Sequence, residues 1–389
     1  MLEFRLTDQQ REIITTVRKV TQEEFKPRSI KYVDGTFPYE NLERLTELGV
    51  TGMAVPEEYG GLGLGVLETA LVLEEIAKGC YATAMMMLGE VGVQARIISL
   101  FAPEQLKRRL LPQICNGKCI LAICITEPDA GTDASAMRTN AAVTNESVRI
   151  NGVKTLISRA DVADIFIVFT RVNRVPGGKG IGCALIEKGT PGLIAEAKYH
   201  TMGGEYLSEV RFEDCEIPLE NLIVREDGIK RLFNAFNTQR CLNSSICLGL
   251  AEGALEEAIK YAQQRSAFGH PIAEFQGIQW KLVDMYKEVE AARSLLYRAC
   301  VGANPFPDAM QAALAKIYCN EMAIKVTSDA VQLHGGYGYT DEFPVSRQFR
   351  GARFGSLGGG TPEMLRNLVA AQILKKINHH EGLGSLDTF

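Results

Sequence analysis

The spacing of apolar residues changes twice along this chain, and only a fold that combines helical and sheet layers accommodates both changes. Up to about residue 120 the apolar positions recur three and four apart, as in Leu6, Ile13, Ile14 and Val17 and again in Leu67, Leu71, Leu73 and Ile76. That spacing lines one face of an α-helix. Between 121 and 225 the pattern becomes short β-branched runs, such as Val148-Arg-Ile150 and Ile165-Phe-Ile-Val-Phe169. Turn signals at Asn151-Gly152, Pro176-Gly-Gly-Lys-Gly180 and Thr190-Pro-Gly192 divide them. After 226 the helical period returns: Leu255, Ile259 and Ala262 share a face, and the stretches around 273–302 and 308–334 carry proline only at their ends. The reading is a mainly α chain with inserted β: an N-terminal helical domain over 1–120, a central β-domain over 121–225, and a C-terminal helical bundle with a polar tail over 226–389.

With 389 residues, 46% hydrophobic and 23% charged, the chain has material for a sizeable core in two or three domains. A net charge of -5 argues against a nucleic-acid groove or a polybasic membrane patch and points to small or polar-neutral partners. No uninterrupted apolar run reaches the roughly 18 residues of a membrane helix. The start, MLEFRLTDQQREI, lacks a signal-peptide core. A cytoplasmic protein without membrane insertion is expected. Ten cysteines at irregular spacing, most in apolar neighbourhoods, read as buried reduced thiols. Cys115 and Cys119 have no second pair or nearby histidine, and no His-x-x-x-His pair occurs, so no metal is expected. The glycine-rich segment Pro56–Gly65 lacks the full Gly-x-Gly-x-x-Gly spacing and follows no strand, which argues against a dinucleotide loop.

Four local sequences sharpen this outline. Ile123-Cys-Ile-Thr-Glu-Pro-Asp-Ala-Gly-Thr-Asp133 resembles the flavin-binding signature of the acyl-CoA dehydrogenase family, as does Pro56-Glu-Glu-Tyr-Gly-Gly61 upstream. Arg265-Ser-Ala-Phe-Gly269 with Phe275-Gln276 is similar to the family's Arg-x-x-Phe-Gly…Gln element, and Gln332-Leu-His-Gly-Gly-Tyr-Gly338 to its Gln-x-x-Gly-Gly-x-Gly loop. The resemblance runs from residue 1 to about 376. It implies FAD as cofactor, an acyl-CoA substrate, a homotetramer with a C-terminal four-helix bundle, and an electron-transfer flavoprotein as redox partner. On the flavin ring side it implies Ile123, Ile125, Thr126, Gly131, Thr132, Leu156 and Ser158, where freed backbone N–H groups and hydroxyls can stabilise negative charge on a reduced ring. For the diphosphate it implies Arg265, whose planar fork suits phosphate. Phe268, Gln332, Gly335 and Gly336 are implied for the adenosine half of a flavin shared with a neighbouring subunit, and Gln276, Thr361 and Glu363 also fall to the cofactor. Thr132, Asn237, Arg240, Gly360, Met86 and Glu90 are implied for the acyl-CoA, with Arg240 suited to its nucleotide end.

The chain departs from its family at the base. Most members remove the proton beside the thioester carbonyl with a glutamate that precedes Gly-Thr near the end of the chain, and here that place is Gly359 in Ser356-Leu-Gly-Gly-Gly-Thr361. Others carry the base on a helix just before an arginine, and here Gln239 stands before Arg240. An amide cannot accept a proton at working pH. The same pair of replacements occurs in the branch that removes a sulfinate without net oxidation, which this chain resembles through Ala273–Trp280 and Val289–Arg293. That branch holds its sulfinate with an arginine in the segment that reads Ala82-Thr-Ala-Met-Met-Met-Leu88 here. Three methionines can instead line a polarizable apolar pocket. A second branch without the usual glutamate resembles dehydrogenases that form cyclic 1,3-dienes from cyclohexene-carboxyl-CoA with an acidic base further along the acyl group. Glu90 follows the methionines and is the candidate base. Leu156 stands where many members place a tryptophan against the flavin, with the Ser158 hydroxyl retained.

The expected function is FAD-dependent oxidation of a cyclic or already unsaturated acyl-CoA by proton abstraction and hydride transfer to flavin N5. The alternatives are a redox-neutral desulfinase or lyase, an ordinary acyl-CoA dehydrogenase with a displaced base, and a catalytically silent flavin- or CoA-binding protein.

Overall fold

A computed structural model describes residues 5–378. Thr7 begins the first helix with a capping box: its hydroxyl accepts from the Gln10 N–H while the Gln10 side chain accepts from the Thr7 N–H. The N-terminal part then runs through α1 (Asp8–Val20), the single turn α2 (Lys26–Arg28), α3 (Tyr39–Glu47), α4 (Val66–Gly79), α5 (Tyr81–Val91), α6 (Val93–Phe101) and α7 (Glu104–Cys115). Helices α5 and α6 together, Tyr81–Phe101, are long and apolar enough to cross a membrane by length and composition, a stretch that counting unbroken apolar runs overlooks. Gly92 breaks it, and most of it is buried in the core.

Eight strands follow: β1 (Leu121–Cys124), β2 (Asn140–Val143), β3 (Ser147–Ser158), β4 (Ile165–Val172), β5 (Ile181–Glu187), β6 (Leu193–His200), β7 (Tyr206–Pro218) and β8 (Leu222–Val224). Their order is β6-β7-β3-β2-β4-β5-β8, with β1 parallel to β4. Strand β4 is buried on both faces, which explains its continuous apolar run. Ile165, Ile167 and Phe169 pack toward α6, α7 and the following helix, while Phe166 and Val168 fill the interior of the β-domain. The expected turn at Asn151-Gly152 is instead a bulge inside β3, where the register against β7 shifts between Ile150 and Gly152. A Cβ at Gly152 would come within 2.5 Å of Thr139 Oγ1, so the glycine serves close approach. The reversal lies just before it, where the Thr144 N–H meets the Ser147 carbonyl.

The C-terminal part comprises α8 (Gly228–Gln264), a small hairpin of β9 (Ser266–Ala267) and β10 (His270–Pro271), then α9 (Gln276–Val301), α10 (Ala309–His334), α11 (Pro344–Gly355) and α12 (Pro362–Asn378). Asp308 caps α10 by accepting from Met310 and Gln311, and Gly335 at φ +59 ends it. Helix α8 is buried on most sides, and two of its buried hydroxyls turn to their own backbone: Ser244 donates to the Arg240 carbonyl and Ser245 to that of Cys241. One apolar core runs without a break from Val17, Leu73 and Met87 into Leu242, Leu296 and Ala323, so the helical parts before and after the sheet share an interior. The part of the polar tail from 379 on, with His379 and His380, lies outside the described residues.

Candidate active site

The loop that leaves β1 is pinned from beneath. Lys154, buried in β3, donates to the Ile125 carbonyl at 2.8 Å and to Glu127 Oε1 at 2.8 Å. The Glu127 carboxylate also accepts from the Arg138 and Thr139 N–H groups at 2.6 and 2.9 Å. Burial alone would raise the Glu127 pKa, but Lys154 and these N–H groups hold it below the usual carboxylate value. The pair fixes both ends of the loop, and Gly131 and Thr132 stand exposed at its tip. The Thr155 N–H joins the Thr126 carbonyl at 2.9 Å, bringing β3 alongside. There Leu156, with φ +57, is 51% exposed and Ser158 is half-buried beside it. An apolar ledge next to open N–H groups and hydroxyls fits a flat ring with polar edges, which is the chemistry of a flavin. The Pro56–Gly61 segment is held differently: the Tyr59 hydroxyl bonds Glu104 at 2.8 Å and Gly61 lies against the Val55 carbonyl.

The residues implied for the other end of FAD gather at one end of the helical bundle. Tyr261 on α8 stacks on His334 of α10 at 4.3 Å, which sets Arg265 and Gly335 at the same end. Phe268, 93% exposed at φ +53, meets Phe275 edge-on at 6.2 Å. Arg265, Gln276, Gln332, Gly335 and Gly336 are exposed there. Among the described residues no hydrogen bond, ion pair or ring contact joins this group to the Ile125–Met137 loop.

At the two usual base positions no carboxylate appears. Gln239 on α8 accepts from the Val93 N–H at 3.3 Å, in the break between α5 and α6. Gly359 and Gly360 are exposed with φ +73 and +95, and Thr361 and Glu363 follow at the start of α12. A Cβ at Gly359 would stand 3.7 Å from the Cε of Lys316. Lys316 is fully buried, donates to the Gly355 carbonyl at 2.6 Å and to Asn243 at 3.2 Å, and is pushed down to about 8 by burial. Arg240 donates to Asn237 at 2.6 Å, and its Nε has no partner. At 9% exposure it faces the interior. It stands among the buried groups of α8.

Glu90 occupies the opposite circumstance. It closes α5 at 2% exposure, with Oε1 accepting from Arg159 Nη1 at 3.0 Å and from the Leu121 N–H at 3.5 Å. Its Oε2 is buried without a partner. Burial drives its pKa up to about 7 despite the opposing pull of Arg159. Arg159, at the end of β3 with φ +63, also donates to the Met86 carbonyl at 3.1 Å. Its guanidinium lies across Gly89, where a Cβ would come within 1.6 Å. Arg159 lines a cleft with Ser158, Ala82, Met85, Met86, Phe37 and Tyr206, and Glu90 sits directly behind it. Sequence reasoning missed Arg159. The only signal was a charged residue directly after Ser158, which the resemblance implies for the flavin.

Three domain families match in order: the acyl-CoA dehydrogenase N-terminal domain over residues 7–118, the middle domain over 122–215 and the C-terminal domain over 226–374. A 3-sulfinopropanoyl-CoA desulfinase of Cupriavidus necator is 38% identical over 95% of this chain and 96% of its own length. A cyclohex-1-ene-1-carbonyl-CoA dehydrogenase of Syntrophus aciditrophicus is 37% identical over 95% of this chain and 91% of its own. A glutaryl-CoA dehydrogenase of Mycobacterium smegmatis, solved in complex with FADH2, superposes with a TM-score of 0.90 at 25% identity, covering 95% of this chain and 96% of that one. With three domains in sequence and relatives of this identity along nearly the whole length, the chain belongs to the acyl-CoA dehydrogenase family, whose members bind FAD and act as oxidoreductases on CH–CH donors.

Proposed function

We propose that this protein oxidises a cyclic or already unsaturated acyl-CoA thioester, with Glu90 as the base. The single observation that carries this reading is the contrast between Glu90 and the usual base positions. Gln239 and Gly359 offer no proton acceptor, whereas Glu90 is a buried carboxyl poised near neutral pH with one oxygen unbonded. FAD, when bound, supplies the hydride acceptor. Thr126, Thr132, Leu156 and Ser158 would hold its ring side, while Arg265, Phe268, Gln276, Gln332, Gly335 and Gly336 would hold the diphosphate and adenosine of a flavin shared between subunits. Ile123, Ile125, Thr361 and Glu363 complete that set.

The thioester end would lie against Asn237, Arg240, Gly360 and Thr132, with Met86 along the acyl group. From the end of α5, Glu90 Oε2 would take a proton from an acyl carbon remote from the thioester. That geometry suits a ring or a conjugated chain, in which the electron pair left behind is delocalised toward the thioester carbonyl. A homotetramer and an electron-transfer flavoprotein as acceptor belong to the same reading.

The redox-neutral desulfinase reading draws on the Cupriavidus necator relative. Against it stands the cleft wall, whose one cation, Arg159, already faces Glu90 and leaves no uncompensated charge for a sulfinate. Anaerobic mixing with cyclohex-1-ene-1-carbonyl-CoA, saturated acyl-CoA esters and 3-sulfinopropanoyl-CoA separates the readings. Flavin bleaching by the cyclic ester, lost in Glu90→Gln, is the expected result. Sulfinate release without bleaching would replace this function with the neutral one.

A further inference from the structure

We propose that Arg159 is the positioning residue for Glu90: it grips Oε1, leaves Oε2 as the working oxygen, and reaches that place only because residue 89 is glycine. The proposal rests on the reading of Glu90 as the base.

Three observations carry it. First, the grip is one-sided. Arg159 Nη1 and the Leu121 N–H both approach Oε1, and among the described residues none donates to Oε2. A pair kept for stability alone would be expected to satisfy both oxygens, because a buried bare acceptor is costly. Secondly, the arginine is held in an unfavourable backbone. Its φ of +63 is uncommon for a long side chain, and local strain of this kind gathers at working sites. Thirdly, the helix is cut away to receive it. A methyl group at Gly89 would stand 1.6 Å from both Nη1 and Nη2, and the Met86 carbonyl, one turn earlier, accepts from the same Nη1. Glycine inside a helix is less favourable than alanine, and here the missing Cβ is the space that the guanidinium fills.

The charged and titratable groups that face Glu90 are few. Arg159 favours its ionised form, Asp164 at the start of β4 disfavours it, and the Cys119 thiol ahead of β1 lies near enough to feel its charge. Arg159 is the only cation among them. Without it, only the Leu121 N–H opposes burial, and the carboxyl keeps its proton to higher pH. At pH 7 the base would then be largely protonated and idle.

The test compares Arg159→Met, Arg159→Lys and Gly89→Ala with the wild-type holoenzyme. Glu90 is titrated directly by the infrared carbonyl stretch of its protonated acid, identified as the band absent in Glu90→Gln. Flavin bleaching by cyclohex-1-ene-1-carbonyl-CoA is followed over the same pH range. Arg159→Met should move the Glu90 midpoint up by more than about one pH unit, which leaves about fivefold less ionised base, or lower still, at pH 7. Gly89→Ala should do the same while retaining the arginine, because its methyl displaces the guanidinium. Arg159→Lys should stay near wild type. An unmoved midpoint in both Arg159→Met and Gly89→Ala overturns the proposal. Undiminished bleaching in Glu90→Gln would overturn the base assignment instead, whatever the midpoint does, so the two failures are told apart.

Discussion

Two corners of this molecule handle buried charge in opposite ways. Around Gln239 and Gly359, Arg240 and Lys316 are buried cations that no carboxylate among the described residues pairs with, and burial lowers both of their pKa values. At the junction of α5 with the β-domain, Glu90 is a buried acid gripped by a buried cation, and burial raises its pKa. Were the acid merely lost, the first corner would stand alone. The second shows a carboxyl kept near neutrality against a desolvation penalty, which is what a displaced base requires and what packing alone does not call for.

The largest effect is expected from Glu90→Gln, which keeps shape and hydrogen bonding but removes the acceptor. Anaerobic stopped-flow should show flavin reduction by the cyclic ester falling by a factor of about 100 or more, with FAD content and CoA-ester affinity retained. Reduction at the wild-type rate would erase the contrast between the two corners. Gln239→Glu should sharpen it from the other side. A carboxylate placed beside Arg240 should confer α,β-dehydrogenation of a simple saturated acyl-CoA, by about 100-fold over the parent protein. Gly359→Glu should gain less, because its φ of +73 imposes about 1–2 kcal/mol on a residue with a Cβ. If neither variant gains activity, the acyl group lies in a pose that these positions do not reach.

Stability against pH is the next measurement. The folded state raises the Glu90 pKa from 4.5 to about 7, so the folded protein binds this proton more tightly than the unfolded chain. Wild type should therefore lose stability relative to Glu90→Gln as pH rises from about 4.5 to 7, with the difference constant above that. The loss amounts to about 3 kcal/mol. A difference in denaturation midpoint that is flat across this window would mean that Glu90 titrates normally. The smallest change is expected at the bundle end. Arg265→Ala should weaken FAD retention by about 1.5–3 kcal/mol and loosen the assembly, as followed by flavin absorbance and sedimentation. Full flavin content in an unchanged oligomer would remove Arg265 from the diphosphate site.

Much of the architecture was legible because it rests on local spacing. Three- and four-residue apolar steps marked α1 and α4, the proline-free stretches matched α9 and α10, and the unbroken run at 165–169 lies in the buried strand β4. The absence of a base at 239 and 359 was legible too, since it depends only on which residue stands at a motif position. Asn151-Gly152 was misread because the same dipeptide suits a hairpin turn and a bulge, and which one forms depends on the partner strand: Thr139 crowds Gly152, and the Asn151 side chain bonds Asp214 on β7. The burial of Arg240 was not legible, because a motif position does not say how many neighbours surround it. Helix α8 is enclosed on most sides, so even its polar residues are interior.

The sequence alone determined the order of the layers, the flavin motifs and the missing glutamates, because each is a property of neighbours along the chain. Tertiary structure decided where the remaining charges meet. Arg159 stands 69 residues from Glu90, and their contact needs the left-handed turn at the end of β3, the bare backbone of Gly89 and the seating of the β-domain against α5. Desolvation, which raises the proton affinity of Glu90 and lowers that of Arg240, is produced by everything packed around a group, and no stretch of sequence carries that information by itself.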